Sequence, residues 1–224
     1  MDKKRLKRGR LLVISGFSGV GKGTVIKKLM EMHPEYAFSV SATTRAPRPG
    51  EVDGRDYFFI DKETFDRWVG EGRFLEYARF FNKAYGTLKE HVDALRAEGK
   101  NVILDIEVEG AENVCAACPD AISFYIIPPA AGELRRRIEG RGTETREQIR
   151  GRMEKAVREA EVVPRYRYII VNDEVDKTAA EIHRLSGRRG KPRIEREKAL
   201  ELTKEIQKEL KEILKDYRDC DNIN

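Results

Sequence analysis

The stretch Leu11-Leu12-Val13-Ile14-Ser15-Gly16-Phe17-Ser18-Gly19-Val20-Gly21-Lys22-Gly23-Thr24 decides how the rest of the chain is read. Leu11 to Ser15 is a short apolar run of the kind a buried strand makes, and Lys22 to Met32 carries helical periodicity. Between them Gly16-x-x-x-x-Gly21-Lys22 matches the phosphate-binding loop in the strand-to-helix setting that motif requires. The glycines let the backbone curl until successive N–H groups face one anion, and the start of the helix adds its positive end. Lys22 is then placed to reach the outer phosphates of a nucleoside triphosphate. Gly16, Ser18, Gly19, Val20, Gly21, Lys22, Gly23 and Thr24 are therefore candidate nucleotide contacts. The Ser or Thr usual after the lysine is Gly23 here, and the hydroxyl comes one residue late, on Thr24. That shift is about 100° around the first helical turn, so the Thr24 hydroxyl is expected to face an α or β phosphate oxygen rather than a metal.

Outward from this loop, strands and helices take turns. Tyr57 to Ile60 and Phe74 to Phe80 read as apolar and aromatic strands on either side of a helix over Glu63 to Val69. A helix is expected to start at Thr87, with Glu90 three residues on completing a capping box and Gly99 as its stop. Asn101 to Ile106 and Ile122 to Ile127 are apolar without alternation, as central strands of a sheet covered on both faces are. Leu134 to Glu139, Glu147 to Glu161 and Lys177 to Leu185 read as helices, and Tyr168 to Val171 as a last strand. The alternation predicts an α/β fold with a mostly parallel core sheet.

The 224 residues are enough to bury a full core without disulfide or metal. The net charge of +5 sits at the ends: residues 1–10 carry +5 and residues 188–224 carry +2, which leaves residues 11–187 at −2. The basic balance is thus no argument that the folded body binds nucleic acid. No stretch approaches the 18 apolar residues of a membrane span, and the first ten residues lack the apolar middle of a secretion signal. The 3 cysteines are too few and odd for a disulfide framework, and a cytoplasmic location is expected. Cys115-x-x-Cys118 lacks two further ligands for zinc and reads as two small residues on one helix face.

Further motifs stand in order along the chain. Ser41-x-x-Thr44-Arg45-x-x-Arg48-x-Gly50-Glu51 opens a Pro-stiffened loop whose paired guanidinium forks suit bidentate capture of a phosphate. Then come Gly54-x-Asp56-Tyr57-x-Phe59, Phe74-Leu75-Glu76, Tyr85-Gly86-Thr87, Leu104-Asp105-Ile106-x-x-x-Gly110, and Gly140-Arg141-Gly142-Thr143-Glu144. In this register the chain resembles guanylate kinases from about Leu11 to about Leu185. The resemblance implies a P-loop nucleoside monophosphate kinase fold over residues 11–187. That fold carries a GMP-binding lobe at about 38–85 and a lid at about 140–152. It further implies transfer of the γ-phosphoryl of ATP to GMP and dGMP, giving ADP and GDP, with magnesium as cofactor.

Site residues follow by position. Arg45, Arg48, Tyr57 and Tyr85 match those that grip the GMP phosphate, and Ser41, Glu76, Thr87 and Glu107 those that read guanine. The chemistry agrees at Glu76, because guanine offers N1–H and N2–H side by side and one carboxylate accepts both, whereas adenine has no such pair on that edge. Asp105, ending an apolar strand, matches the carboxylate that orients magnesium through water. Arg137, Arg141 and Arg152 match the arginines that, with Lys22 and Arg45, neutralise the transferred phosphoryl group. Asn172 matches an ATP contact on the adenine side. Glu109 stands where the family more often has Gln. The guanylate-kinase-like domains of membrane scaffolds resemble the same fold, yet they have lost the intact nucleotide loop that Gly16, Gly21 and Lys22 keep here.

The ends lie outside the resemblance. Residues 1–10 read as a basic arm, disordered and solubilising rather than nucleic-acid-binding. Beyond Gly187, Gly190 and Pro192, residues 188–224 read as a charged amphipathic helix. Its apolar stripe, Leu202, Ile206, Leu210, Ile213 and Tyr217, is expected to pack on the body or on a second subunit as a homo-oligomer.

Overall fold

The structure is a computed structural model that describes residues 7–80, 82–140, 145–187 and 190–219. In chain order its elements are β1 (Leu11–Gly16), α1 (Lys22–Met32), β2 (Tyr36–Phe38), β3 (Ala42–Thr43), β4 (Phe58–Phe59), α2 (Lys62–Gly70), β5 (Phe74–Phe80), β6 (Lys83–Leu88) and α3 (Lys89–Ala97). There follow β7 (Asn101–Asp105), α4 (Val108–Ala117), β8 (Ile122–Ile127), α5 (Ala131–Glu139), α6 (Arg146–Glu159), β9 (Tyr168–Val171), α7 (Val175–Ser186) and α8 (Arg196–Asp219). One five-stranded sheet has the order β2-β7-β1-β8-β9, and a four-stranded sheet the order β4-β3-β6-β5. The chain forms two compact units, residues 1–13 with 33–122, and residues 14–32 with 123–224.

In the first unit β2 runs parallel to β7, with Tyr36 opposite Asn101 and Phe38 opposite Ile103. The second sheet is mostly antiparallel, with β6 between β3 and β5. Its inner face packs Phe65, Phe74 and Leu88 with Ala42 and Ala84, and Trp68, Phe58 and Ile60 close the edge. Asp61 caps α2 by accepting from the Thr64 N–H at 2.6 Å, which satisfies one of the otherwise unpaired donors of the first turn. The start expected for a helix at Thr87 is overturned. Thr87 is the fifth residue of β6, α3 begins at Lys89, and Leu88 at its start makes no side-chain cap. The physical reason is competition for the hydroxyl: Thr87 donates to Glu76 instead, and Glu90 pairs with Arg73. Gly99 does end the helix, with φ of 84°.

In the second unit β8 and β9 are parallel, Phe124 opposite Tyr168 and Ile127 opposite Val171. Every residue of β8 is buried, which explains the unalternating run. A capping box does occur here, between Thr145 and Gln148 at the start of α6. α8 packs on α6, with Gln207 donating to the Val157 carbonyl and Arg196 to those of Pro164 and Tyr166. Its buried line is Ala199, Thr203, Ile206, Leu210 and Leu214, so the expected stripe is turned slightly, with Leu202, Ile213 and Tyr217 on its half-buried margins.

Two smaller expectations change. The start of the basic arm is undescribed through residue 6, but Arg8 pairs with Asp93 and Gly9 is held by Arg96, so the described end of the arm is tied down. Cys115 lies in α4, but Cys118 ends it in a non-helical conformation, and burial pushes the Cys118 thiol above its ordinary range. Both are free. No helix among the described residues is long and apolar enough to cross a membrane.

Candidate active site

In the first unit, Ser41, Tyr57, Glu76, Tyr85, Asp105, Glu107 and Glu109 share the wall of a cavity of about 200 Å³. Glu76 is 9% exposed, and its Oε1 accepts from the Thr87 hydroxyl at 2.6 Å across the β5–β6 ladder. Burial is the leading effect on this carboxyl and raises its pKa above the ordinary range, against the opposing Thr87 hydrogen bond. Gly110 on α4 makes room for it: a Cβ there would stand 2.7 Å from Glu76 Oε2. Ser41 and Glu107 line the same cavity as Glu76, and Asp105 lies on that wall too.

Beside the cavity, Arg45 is buried and its fork meets Glu51 in two bonds of 2.9 Å, while Nη1 also donates to the Ala46 carbonyl. The guanidinium lies over the Tyr57 ring at 5.2 Å and the Phe59 ring at 5.7 Å, and Tyr57 and Tyr85 meet edge to face. Glu51 also accepts from the Arg48 N–H at 2.7 Å, so one carboxylate holds both arginines of the motif. The hydrogen bond from Arg45, and after it the one from Arg48, hold the Glu51 carboxyl below its usual range, and the hydrogen bond to Glu51 in turn raises Arg45. The arrangement presents a fixed cation and two tyrosines to an anion, with the Arg48 side chain exposed to solvent.

In the second unit the loop after β1 takes the expected form, with φ of 87° at Gly19 and 89° at Gly21. A Cβ at Gly16 would stand 2.7 Å from the Ile126 carbonyl, and one at Gly19 would stand 2.5 Å from Ile138. Gly23 is open, with nothing within 4 Å of such a Cβ, and Thr24 is exposed on the first turn of α1. Lys22, half-buried, is the first residue of α1.

Two of the expected ligand contacts, Asn172 and Arg137, also brace this loop. Asn172 is 2% exposed, its amide donating to the Val20 carbonyl at 2.8 Å and accepting from Thr178 at 3.2 Å. Arg137 donates to the same Val20 carbonyl at 2.9 Å, to the Asn172 carbonyl at 3.0 Å and to Glu133 at 2.7 Å. Arg136 and Arg137 together lower the Glu133 carboxyl to about 2. In a planar trans peptide the N–H points opposite to the C=O. Pinning the Val20 carbonyl to Arg137 and Asn172 therefore aims the Gly21 N–H away from them, which is what a nest of N–H groups for an anion requires. Arg152 is half-buried on α6, and Arg141 lies outside the described residues.

Glu159 is a functional candidate that sequence reasoning does not find. This buried carboxylate, 8% exposed, accepts from the Ser18 N–H of the loop at 2.8 Å. Seven residues, or nearly two turns, separate it from Arg152 on α6, so the two share a face of that helix. A Glu at that spacing behind an arginine is the only signal the sequence offers, and it is shared by many solvated helices.

Residues 8–187 match the family model described as "Guanylate kinase". The guanylate kinase of Rubrobacter xylanophilus is 45% identical over 177 residues, covering 79% of this chain and 93% of that one. The guanylate kinase of Clostridioides difficile is also 45% identical over 177 residues, covering 79% and 86%. Among solved structures, guanylate kinase from Anaplasma phagocytophilum is 31% identical with a TM-score of 0.61, over 81% of this chain and 86% of that one.

Proposed function

The chain belongs to the guanylate kinase family, and from that premise we propose how its two sites divide the work of phosphorylating GMP at the expense of ATP. GMP sits with its guanine against Ser41, Glu76, Thr87 and Glu107 and its phosphate against Arg45, Arg48, Tyr57 and Tyr85. The observation that carries this is the Glu76 carboxylate, buried and fixed by Thr87 beside a rigid Arg45. A buried acceptor pair favours a base that brings two adjacent donors, and it penalises one that leaves the acceptors unpaired. The assigned residues read base and phosphate and none is committed to a ribose 2′-hydroxyl, so dGMP is a substrate as well.

ATP lies in the loop from Gly16 to Thr24, its outer phosphates met by Lys22 and by the Gly21 N–H that Arg137 and Asn172 turn outward, while Glu159 anchors the loop at the Ser18 N–H. The attacking oxygen of GMP is already ionised near neutral pH, so no general base is needed. In-line positioning and neutralisation by Lys22, Arg45, Arg141 and Arg152 supply the rate, with Arg137 acting by holding the loop. Magnesium, when bound with ATP, adds positive charge at the phosphate oxygens. The oxygen donors of this chain suit so hard a cation. Gly23 has space but no hydroxyl, so the Thr24 hydroxyl would serve a phosphate oxygen, and Asp105 is the carboxylate that would order waters of the metal.

A coupled ADP-release assay across GMP, dGMP, AMP, UMP and CMP tests this. GMP and dGMP should be turned over with kcat/KM on the order of 10³-fold or more above the other three. AMP or a pyrimidine nucleotide within tenfold of GMP would overturn the assignment of the base site.

A further inference from the structure

The family match ends at Gly187, yet the chain continues through Arg193 into α8. We propose that Arg193 is a positioning residue for the ATP loop and that it acts through Asn172. The inference rests on reading Gly16–Thr24 as that loop.

Arg193 grips both neighbours of Asn172. Its Nη2 donates to the Val171 carbonyl at 2.8 Å, and Nη1 and Nη2 donate to the Asp173 carboxylate at 3.0 to 3.2 Å. The guanidinium is itself oriented from behind by Glu181 on α7. That carboxylate, 4% exposed, accepts from Arg193 Nε at 2.7 Å and from the Arg193 N–H at 2.5 Å. A planar fork held on one side by a buried carboxylate and on the other by a backbone carbonyl and a second carboxylate has one orientation, which a lysine cannot reproduce.

The residue between the two gripped positions is Asn172. Its own N–H donates to the Ile127 carbonyl at 2.8 Å, and its side chain reaches the Val20 carbonyl at 2.8 Å. A hydrogen bond of that length is lost when its donor moves by about 1 Å. The Val171–Asp173 turn must therefore keep its place if the Val20 carbonyl is to stay pinned and the Gly21 N–H turned toward phosphate. Arg193 thus connects a segment beyond the shared domain to the anion nest, in the order Arg193, turn, Asn172, Val20.

The test uses full-length protein, with ATP affinity measured by calorimetry and KM for ATP and GMP measured separately in the coupled assay. Arg193→Ala should weaken ATP binding and raise KM for ATP by about fivefold or more, while KM for GMP stays within twofold. Arg193→Lys, which can meet one carboxylate but not fork between both, should fall between. Because Arg193→Ala leaves the charge of the buried Glu181 with only its longer ion pair to Arg184 at 3.8 Å, the double variant Arg193→Ala/Glu181→Gln removes that charge. It should recover thermal stability while ATP binding stays weak, since the turn is still unheld. Unchanged ATP affinity in Arg193→Ala, or wild-type affinity in the double variant, would overturn the proposal. Wild-type protein that bound ATP but left GMP untouched would sink the GMP reading and not this one. Failure of the wild type to bind ATP would overturn both.

Discussion

Replacing Glu76 by Gln keeps the size of the side chain and changes one acceptor into a donor. In the wild type Oε1 already accepts from Thr87 at 2.6 Å, and Oε2 stands against the space left by Gly110. Each carboxylate oxygen has two lone pairs, so both remain able to accept from guanine N1–H and N2–H. The amide of the Glu76→Gln variant has only one oxygen. If that oxygen keeps Thr87, the NH₂ group faces the guanine donors, and if it turns to the base, one guanine N–H still meets an N–H. Either way one hydrogen bond to a charged acceptor is lost, at about 1.5 to 3 kcal/mol, and a donor–donor contact is added in a buried place. A total of about 2 to 4 kcal/mol is expected, or roughly 30- to 700-fold in kcat/KM for GMP at about 1.4 kcal/mol per tenfold. AMP brings no paired donors and should lose little, so the GMP-to-AMP ratio in a coupled ADP-release assay isolates the effect. GMP turnover within about threefold of wild type would refute the reasoning, because no folding defect could hide behind an active enzyme.

The same carboxyl makes stability depend on pH. Its folded pKa lies above its unfolded one, so the native state holds the extra proton, and stability should fall as pH rises from the ordinary glutamate value through the raised one. Melting curves of wild type and Glu76→Gln should diverge over that window, and parallel curves would contradict the burial argument. At the ATP loop, Thr24→Val should cost roughly tenfold in kcat/KM for ATP, while Gly23→Ser, which meets nothing within 4 Å, should change activity only a few fold. A sharply altered magnesium dependence in Gly23→Ser with a silent Thr24→Val would reverse the placement of the hydroxyl. At the end of α8, Tyr217 donates to Glu139 at 2.5 Å and carries Arg135 and Arg146 over its ring at 5.5 and 5.3 Å. Tyr217→Ala should therefore lower Tm by several degrees and Tyr217→Phe by less, as a thermal melt would show.

What can be read in the sequence is what local chemistry enforces. The loop from Gly16 to Thr24 announces itself because only glycine readily takes φ near +90°, as Gly19 and Gly21 do. β8 announces itself because a strand buried on both faces has no polar side to show. Thr87 misleads for the same reason that it stands out. A Thr three residues before a Glu has the same spacing whether its hydroxyl caps a helix or crosses a ladder, and only the partner strand, bringing Glu76 opposite Thr87, decides between them.

The residues that hold the sites in place are hidden for a different reason: their partners are far along the chain. Glu159 reaches Ser18 across 141 positions and Asn172 reaches Val20 across 152, so neither contact leaves a local periodicity. In isolation each reads as a solvated glutamate or a strand-ending turn. The asymmetry follows from the chemistry of the two sites. The groups meant for a ligand must be of particular types at fixed spacings, which makes them a motif. A brace needs only a donor or acceptor arriving from any direction, and Arg137, Asn172 and Glu159 arrive from three different elements to hold one loop. Substitutions at braces should accordingly be repaired by any neighbour that restores the hydrogen bond, whereas substitutions at Lys22 or Glu76 should not.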